Sequence, residues 1–205
     1  MADRLSIYKG ALRLLGPSNL ASLTEDRPER HRLDDAWEPA VNDLLNEGMW
    51  NFAMCAVELE QDEDIEPRFG FTYAFRKPDD WVRTVGISYT PTFNDELREY
   101  EDEGDYWYAN VETLYLRYVS NDEEYGWNIG RWRQPFASAL EARLAFDCGL
   151  PISGDRGNRN DLFQLYEKRL KRAKTLDAVD ERVRSKPVGA LVRSRFRFPS
   201  RSRDF

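Results

Sequence analysis

The chain offers one imidazole to acid–base chemistry, His31, between Arg30 and Arg32 in the early turns of a helical pattern. A nucleophile–His–acid triad would require it to leave an exposed helical face, so the spacing reads as a surface histidine. The run Asp62-Glu63-Asp64-Ile65-Glu66 is dense in oxygen ligands but lacks the glycine turn and spacing of a calcium loop. It reads as a solvated acidic loop. Paired carboxylates can hydrolyse a glycan, yet among 37 Asp and Glu no pair stands out. No Gly-rich phosphate loop follows a strand. Cys55 and Cys148 sit in apolar stretches without metal-ligand spacing and read as reduced core thiols. The expectation is a protein that is not an enzyme and takes no cofactor or metal.

The strongest chemical signal is charge. From Arg182 to Arg203 there are eight Lys or Arg and no acid, and Asp204 brings the tail to +7. The whole chain has a formal net charge of −7, which leaves residues 1–181 at −14. Arg and Lys interleaved with aromatics suit nucleic-acid phosphates and bases, but an acidic body repels a polyanion at range. The apolar run Val188-Gly189-Ala190-Leu191-Val192 and the rings of Phe196, Phe198 and Phe205 exceed what a solubility tail needs. Folding onto a partner through Arg–carboxylate pairs and Phe anchors fits better. Arg193, Arg195, Phe196, Arg197 and Phe198 are the candidate partner-binding residues.

A chain of 205 residues, 41% hydrophobic, suffices for one domain with a sizeable core. No apolar run approaches the roughly 20 residues that span a bilayer, and the opening MADRLSIYKG lacks the order of a secretion signal. The reading is a protein folded in a cytoplasm, without a membrane partner.

The elements that position these residues follow from periodicity. Leu5, Tyr8, Leu12 and Leu15 predict a helix over about 3–15, capped by Asp3 and stopped by Gly16-Pro17. Leu33, Trp37, Val41, Leu44, Leu45 and Met49 predict a second over about 28–50, with a kink or break at Pro39. Residues about 53–120 read as a β-rich insertion, in which the acidic 95–105 stretch is a hairpin or loop held open by self-repulsion. Helices over about 135–149, ended by Gly149 and Pro151, and about 160–180 complete the order. The expected fold is α+β, mainly α: a four-helix bundle with a β-rich insertion and an extended basic C-terminal tail. Residues 1–181 form the domain and 182–205 the docking tail.

The order of features resembles a known family. Leu14-Leu15-Gly16 and Ser22-Leu23 precede a long helix that runs into Leu44-Leu45-Asn46-Glu47-Gly48-Met49-Trp50-Asn51-Phe52-Ala53. Phe75-Arg76-Lys77-Pro78-Asp79-Asp80-Trp81-Val82-Arg83 follows. The arrangement, from about Leu5 to Leu176, resembles the head–tail adaptors of tailed bacteriophages, in particular tail tubular protein A of short-tailed phages. In that family the Trp-x-Phe-Ala step closes the long helix and the Pro-Asp-Asp turn sits inside the β region. The resemblance implies a structural virion protein of the neck or tail, assembled in the host cytoplasm. It implies a ring of neighbouring copies, usually twelve, beneath the portal protein, with a downstream tail or nozzle protein below. DNA would pass through the channel without specific binding. Two other readings remain open: a nucleic-acid-binding module using the basic tail, and a virion-associated cell-wall hydrolase. Trp50, Phe52 and Trp81 read as core residues at the junction of helices and β region.

Overall fold

The computed structural model describes residues 2–16, 20–153 and 158–180. Helix α1 (Arg4–Leu15) begins in a reciprocal cap, in which the Asp3 carboxylate accepts from the Ser6 backbone N–H and the Ser6 hydroxyl from the Asp3 N–H. Gly16 stops it at a φ of 142°, backbone that glycine adopts without strain. Helix α2 (Pro28–Glu47) starts on its proline, which has no N–H to leave unpaired. It runs unbroken through Pro39, so the expected break is absent. Pro39 and Asp35 both lie on the wet side, where water can take the carbonyl that the proline leaves without a donor.

Helix α3 (Gln134–Ser153) continues past Gly149 and Pro151, beyond the expected stop. Phe136, Ala137, Ala139, Leu140, Ala142, Leu144, Ala145 and Cys148 are all buried on it. These positions cover most of the helix circumference, broken by the Arg143–Asp147 pair, and a helix so widely apolar must be packed on several sides. α1, α2 and α4 (Arg159–Val179) each pack chiefly on α3. They meet one another at individual contacts, such as Tyr8 with Asp34 and Lys174 with Glu47. Burial pushes the Cys148 thiol up to about 11. Cys55 and Cys148 are both free thiols.

The β region has its own architecture. Strands β1 (Met54–Glu60), β6 (Thr113–Ser120) and β3 (Trp81–Ser88) form one antiparallel sheet in the order β1-β6-β3. Strands β2 (Tyr73–Arg76), β5 (Tyr106–Ala109) and β4 (Tyr100–Glu103) form a second, in the order β2-β5-β4. Phe75, Trp107 and Ala109 from one sheet and Ile87, Leu114, Leu116 and Tyr118 from the other share a single hydrophobic cluster. The fold is therefore a mixed α+β structure with two three-stranded sheets, and the expected four-helix bundle is wrong. The helices gather on α3; the β region buries a second core, while its Val119, with Val82 and Val85, packs into that of the helices.

The Pro78-Asp79-Asp80 turn joins β2 to β3 and locks onto β6. Tyr118 and Ser120 hydroxyls both donate to the Asp80 carboxylate, and Asn121 N–H donates to the Asp80 carbonyl at 2.9 Å. Burial and the bond to Asp80 hold the Tyr118 phenol protonated far above its ordinary range. Asp80→Ala leaves two hydroxyls in this part-buried pocket without their acceptor. It should cost about 2–4 kcal/mol in urea unfolding, whereas Asp79→Ala, at an exposed position, should cost far less.

A second half-buried carboxylate gives a pH signature. Arg169 donates to Glu141 at 3.3 Å and to the Ser138 carbonyl at 2.9 Å. Gly10 makes room for this pair, since a Cβ there would fall 2.3 Å from the Glu141 carboxyl carbon. Burial raises the Glu141 carboxyl above its ordinary value, against the opposing pull of Arg169. A carboxyl held up in the folded state binds more protons there than in the unfolded chain, so its ionisation removes stability as pH rises from about 4.5. Across roughly pH 4 to 7, the Tm of Glu141→Gln should rise relative to that of the native protein; a constant difference would contradict this account.

Candidate partner-docking surface

The residues assigned to partner contact from sequence, Arg193, Arg195, Phe196, Arg197 and Phe198, lie outside the described residues. The ground from which the tail departs is described. α4 ends at a mostly apolar cleft of about 260 Å³ lined by Trp50, Phe52, Pro135, Phe136, Ala173, Leu176 and Val179, together with Arg133, Asp177 and Asp180. Its floor is an aromatic cluster: the rings of Trp50 and Phe52 each meet Phe136 edge-on at 4.9 Å, and Trp132 meets Phe136 at 5.1 Å. Leu176 and Val179 are 41% and 75% exposed, large apolar surface for one helix end.

The chain reaches this geometry through the end of α2. The Trp50 indole N–H donates to the Leu44 carbonyl at 2.7 Å, closing a helix end that otherwise leaves its carbonyls open. Gly48 permits the fold-back, because a Cβ there would sit 2.8 Å from the indole. A 3₁₀ turn, Asn51–Ala53, then delivers the chain into β1. Asn51 binds α4 twice: its N–H donates to the Asp177 carboxylate at 2.9 Å and its side-chain amide to the Asp177 carbonyl at 2.7 Å. Arg133 pairs with Asp180 across the rim. Trp50 and Phe52 thus pack at the junction of helices and β region, while Trp81 packs on the β cluster, 6.0 Å from Trp107.

Sequence reading missed Asp177. Its signal was present, since an acid four residues beyond Ala173 lies on the buried stripe of α4, where carboxylates are rare without partners.

It also missed the clamp on the acidic stretch. Tyr100–Glu103 is a strand, paired through Gly104 to β5, and is not held open. Lys77 is the reason. Its ammonium donates to Asp102 and to the Gly104 carbonyl, and lies 4.3 Å and 5.2 Å from the ring centres of Trp81 and Trp107. The Trp107 indole N–H donates to the other Asp102 oxygen at 3.0 Å. One cation, only 9% exposed, thereby offsets the repulsion of the hairpin.

The other candidates resolve into local contacts. His31 lies on the first turns of α2, half exposed, with its ring 2.8 Å from Asp26 and beside Arg30. Asp62 is pinned, accepting from Tyr106 at 3.2 Å and from the Asp64 N–H at 3.1 Å, while Glu63, Asp64 and Glu66 are exposed. Among the described residues no group of three His, Cys, Asp or Glu is placed to hold a metal ion, and no helix is long and apolar enough to cross a membrane. Searches for related proteins found no matching protein-family model and no matching curated protein.

Charge is divided between faces. Residues 53–120 hold sixteen acids against six bases, and Glu58, Glu60, Glu99, Glu101, Glu103 and Glu112 among them are exposed. The outer side of α4 presents Arg159, Lys168, Lys171 and Arg172, all exposed. Lys77→Met keeps the stem on the two indoles but removes the cation. It should lower stability by about 1–2 kcal/mol, with faster amide exchange confined to β4 and β5; uniform exchange across the molecule would contradict the clamp.

Proposed function

We propose that the chain is a structural subunit of a phage head–tail connector, an adaptor that joins a ring of like copies beneath a portal, extends the DNA conduit and supports later tail proteins. The observation that carries this reading is the junction itself. The long helix closes on Trp50, steps through Phe52-Ala53 into β1, and the Pro78-Asp79-Asp80 turn lies inside the β region. That is the arrangement on which the family resemblance rests. Two further features support it. The basic outer side of α4 and the acidic β surface are complementary, which suits contact between neighbouring copies. An acidic surface beside a conduit also lets DNA pass, because it offers few partners for phosphates.

In this reading the work is done by interface burial, with no bond made or broken. Arg193, Arg195 and Arg197 supply charged hydrogen bonds to portal carboxylates, and Phe196 and Phe198 supply anchors. Portal and downstream proteins are the partners; copies of this chain are the neighbours.

The test is to mix purified protein with a portal ring and image the product by electron microscopy. Full-length protein should decorate the ring, and a version ending at Lys186 should lose most of that binding. Absence of decoration by the full chain would overturn the connector reading. Equal decoration by both versions would overturn the role given to the tail.

A further inference from the structure

Between Lys168 and Leu176, α4 carries five bases and no acid. Two of the five are engaged inside the chain, Arg169 with Glu141 and Lys174 with Glu47. The other three, Lys168, Lys171 and Arg172, are exposed, and none has an ion-pair partner among the described residues. Spacings of three and four gather them on one side of the helix, away from Leu162, Tyr166 and Ala173, which are buried in the helical core. Glu167 is the one acid within a turn of them along the helix.

The β region offers the opposite sign. From Glu58 to Glu66, along the end of β1 and the loop after it, the chain holds six acids and no base. Asp62 accepts from Tyr106 and Glu58 from Tyr115. Glu60, Glu63 and Glu112 are exposed, without a cation paired to them among the described residues, and they line an open hollow of about 490 Å³ with Gln61, Tyr73 and Thr113. β1 lies at the edge of its sheet, and acids on an edge strand discourage strand pairing, so a partner meets them through side chains. We propose that Lys168, Lys171 and Arg172 of one copy seat against the Glu60–Glu63–Glu112 hollow of a second copy.

Three arguments converge. Each copy carries both halves of the contact, three cations and three carboxylates, and opposite charge is what each half lacks. Within one chain the halves stay apart. α4 approaches the start of β1 at its last turn, through Asn51 on Asp177. Lys168 lies nine residues back from Asp177, about 13 Å along the helix, and Glu60 lies six residues along β1 from Met54, about 20 Å. Finally, a contact between two different patches does not use up either copy: the second still offers its own basic face, so the contact repeats head to tail into a ring or an open row. Exposed charge pairs contribute little singly and are screened by salt, so the contact is weak between two free copies and gains by repetition. The inference rests on the connector reading for the ring that it builds, and it names the surfaces that meet.

Carbodiimide cross-linking of the full-length chain, which joins an amine to a carboxylate in direct contact, tests it. Isotopically light and heavy protein are mixed at high concentration and low ionic strength, without any portal protein, and linked peptides are read by mass spectrometry. Links between light and heavy chains that join Lys168 or Lys171 to Glu60, Glu63 or Glu112 should exceed those from any other lysine to these acids about tenfold. The products should form a ladder beyond the dimer, and roughly 1 M salt should remove most of it. A variant with Lys168→Gln, Lys171→Gln and Arg172→Gln is then mixed with one carrying Glu60→Gln, Glu63→Gln and Glu112→Gln, both checked for folding by circular dichroism. Each alone should stay monomeric, and the mixture should stop at a one-to-one dimer. Links spread evenly over all lysines, or found only within single chains, would refute the contact. A native ladder that stops at the dimer would refute its head-to-tail form. Because no portal is present, failure here leaves ring decoration to judge the connector reading, and failure of decoration leaves this result standing.

Discussion

The burial of α3 on most of its sides is the constraint from which the rest of the molecule follows. A helix with apolar residues on most sides cannot rest against a single partner. It needs α1, α2 and α4 around it, and those helices come from both ends of the described chain. Between α2 and α3 the chain makes its whole β excursion. The return is possible because both ends of that excursion meet at one aromatic cluster: Trp50 and Phe52 where it leaves, Trp132 and Phe136 where it comes back, with Trp37 stacked on Trp132 at 5.8 Å. Aromatic packing at that point fixes the register of α2, α3 and β1 together.

The second layer of control is polar and local. Asp80 gathers Tyr118 and Ser120, Lys77 gathers Asp102 and the Gly104 carbonyl, and Asp177 gathers Asn51. Each joins segments far apart in sequence, and each meets a charged group with hydrogen-bond partners from another element. Such pairs add limited net stability but strongly select one arrangement, because the alternatives strand a charge. The acidic composition of the β region is tolerable for the same reason: Lys77 meets Asp102 in the hairpin, Asp62 and Asp80 have hydroxyl partners, and most of the remaining acids face water.

Much of this was legible in the residues. Helical spacing located α1, α2 and α4 within a few positions, and aromatic and β-branched runs located most of the strands. Two kinds of feature were not legible. Stop signals misled where the surroundings overrode them: α3 runs on through Gly149, buried against Leu15 and Leu162, and Pro39 lies within α2 because it faces solvent. Partnership across distance was invisible: Tyr100–Glu103 pairs with β5, and Lys77, more than twenty positions earlier, binds Asp102 within it. The bundle expectation failed for a related reason. Val111 to Val119 has apolar residues in both alternating sets, which implied cover on both faces. Even so, the sequence did not say that a second sheet would supply one of those covers. Of the candidate docking residues, the structure describes only the surface beside which they begin.

The aromatic cluster has a consequence for how such a protein can diversify. The β excursion departs and returns through the same few rings, and its further seats on the helices lie on β3 and β6, at Val82, Val85 and Val119. Insertions, deletions or exchange in the outer sheet of β2, β5 and β4, which contributes nothing to the helical core, would leave the helical frame in place. Lineages sharing this frame can therefore drift apart in the middle of the chain while keeping a common base, and similarity between them should persist longest in the residues that make the clasp.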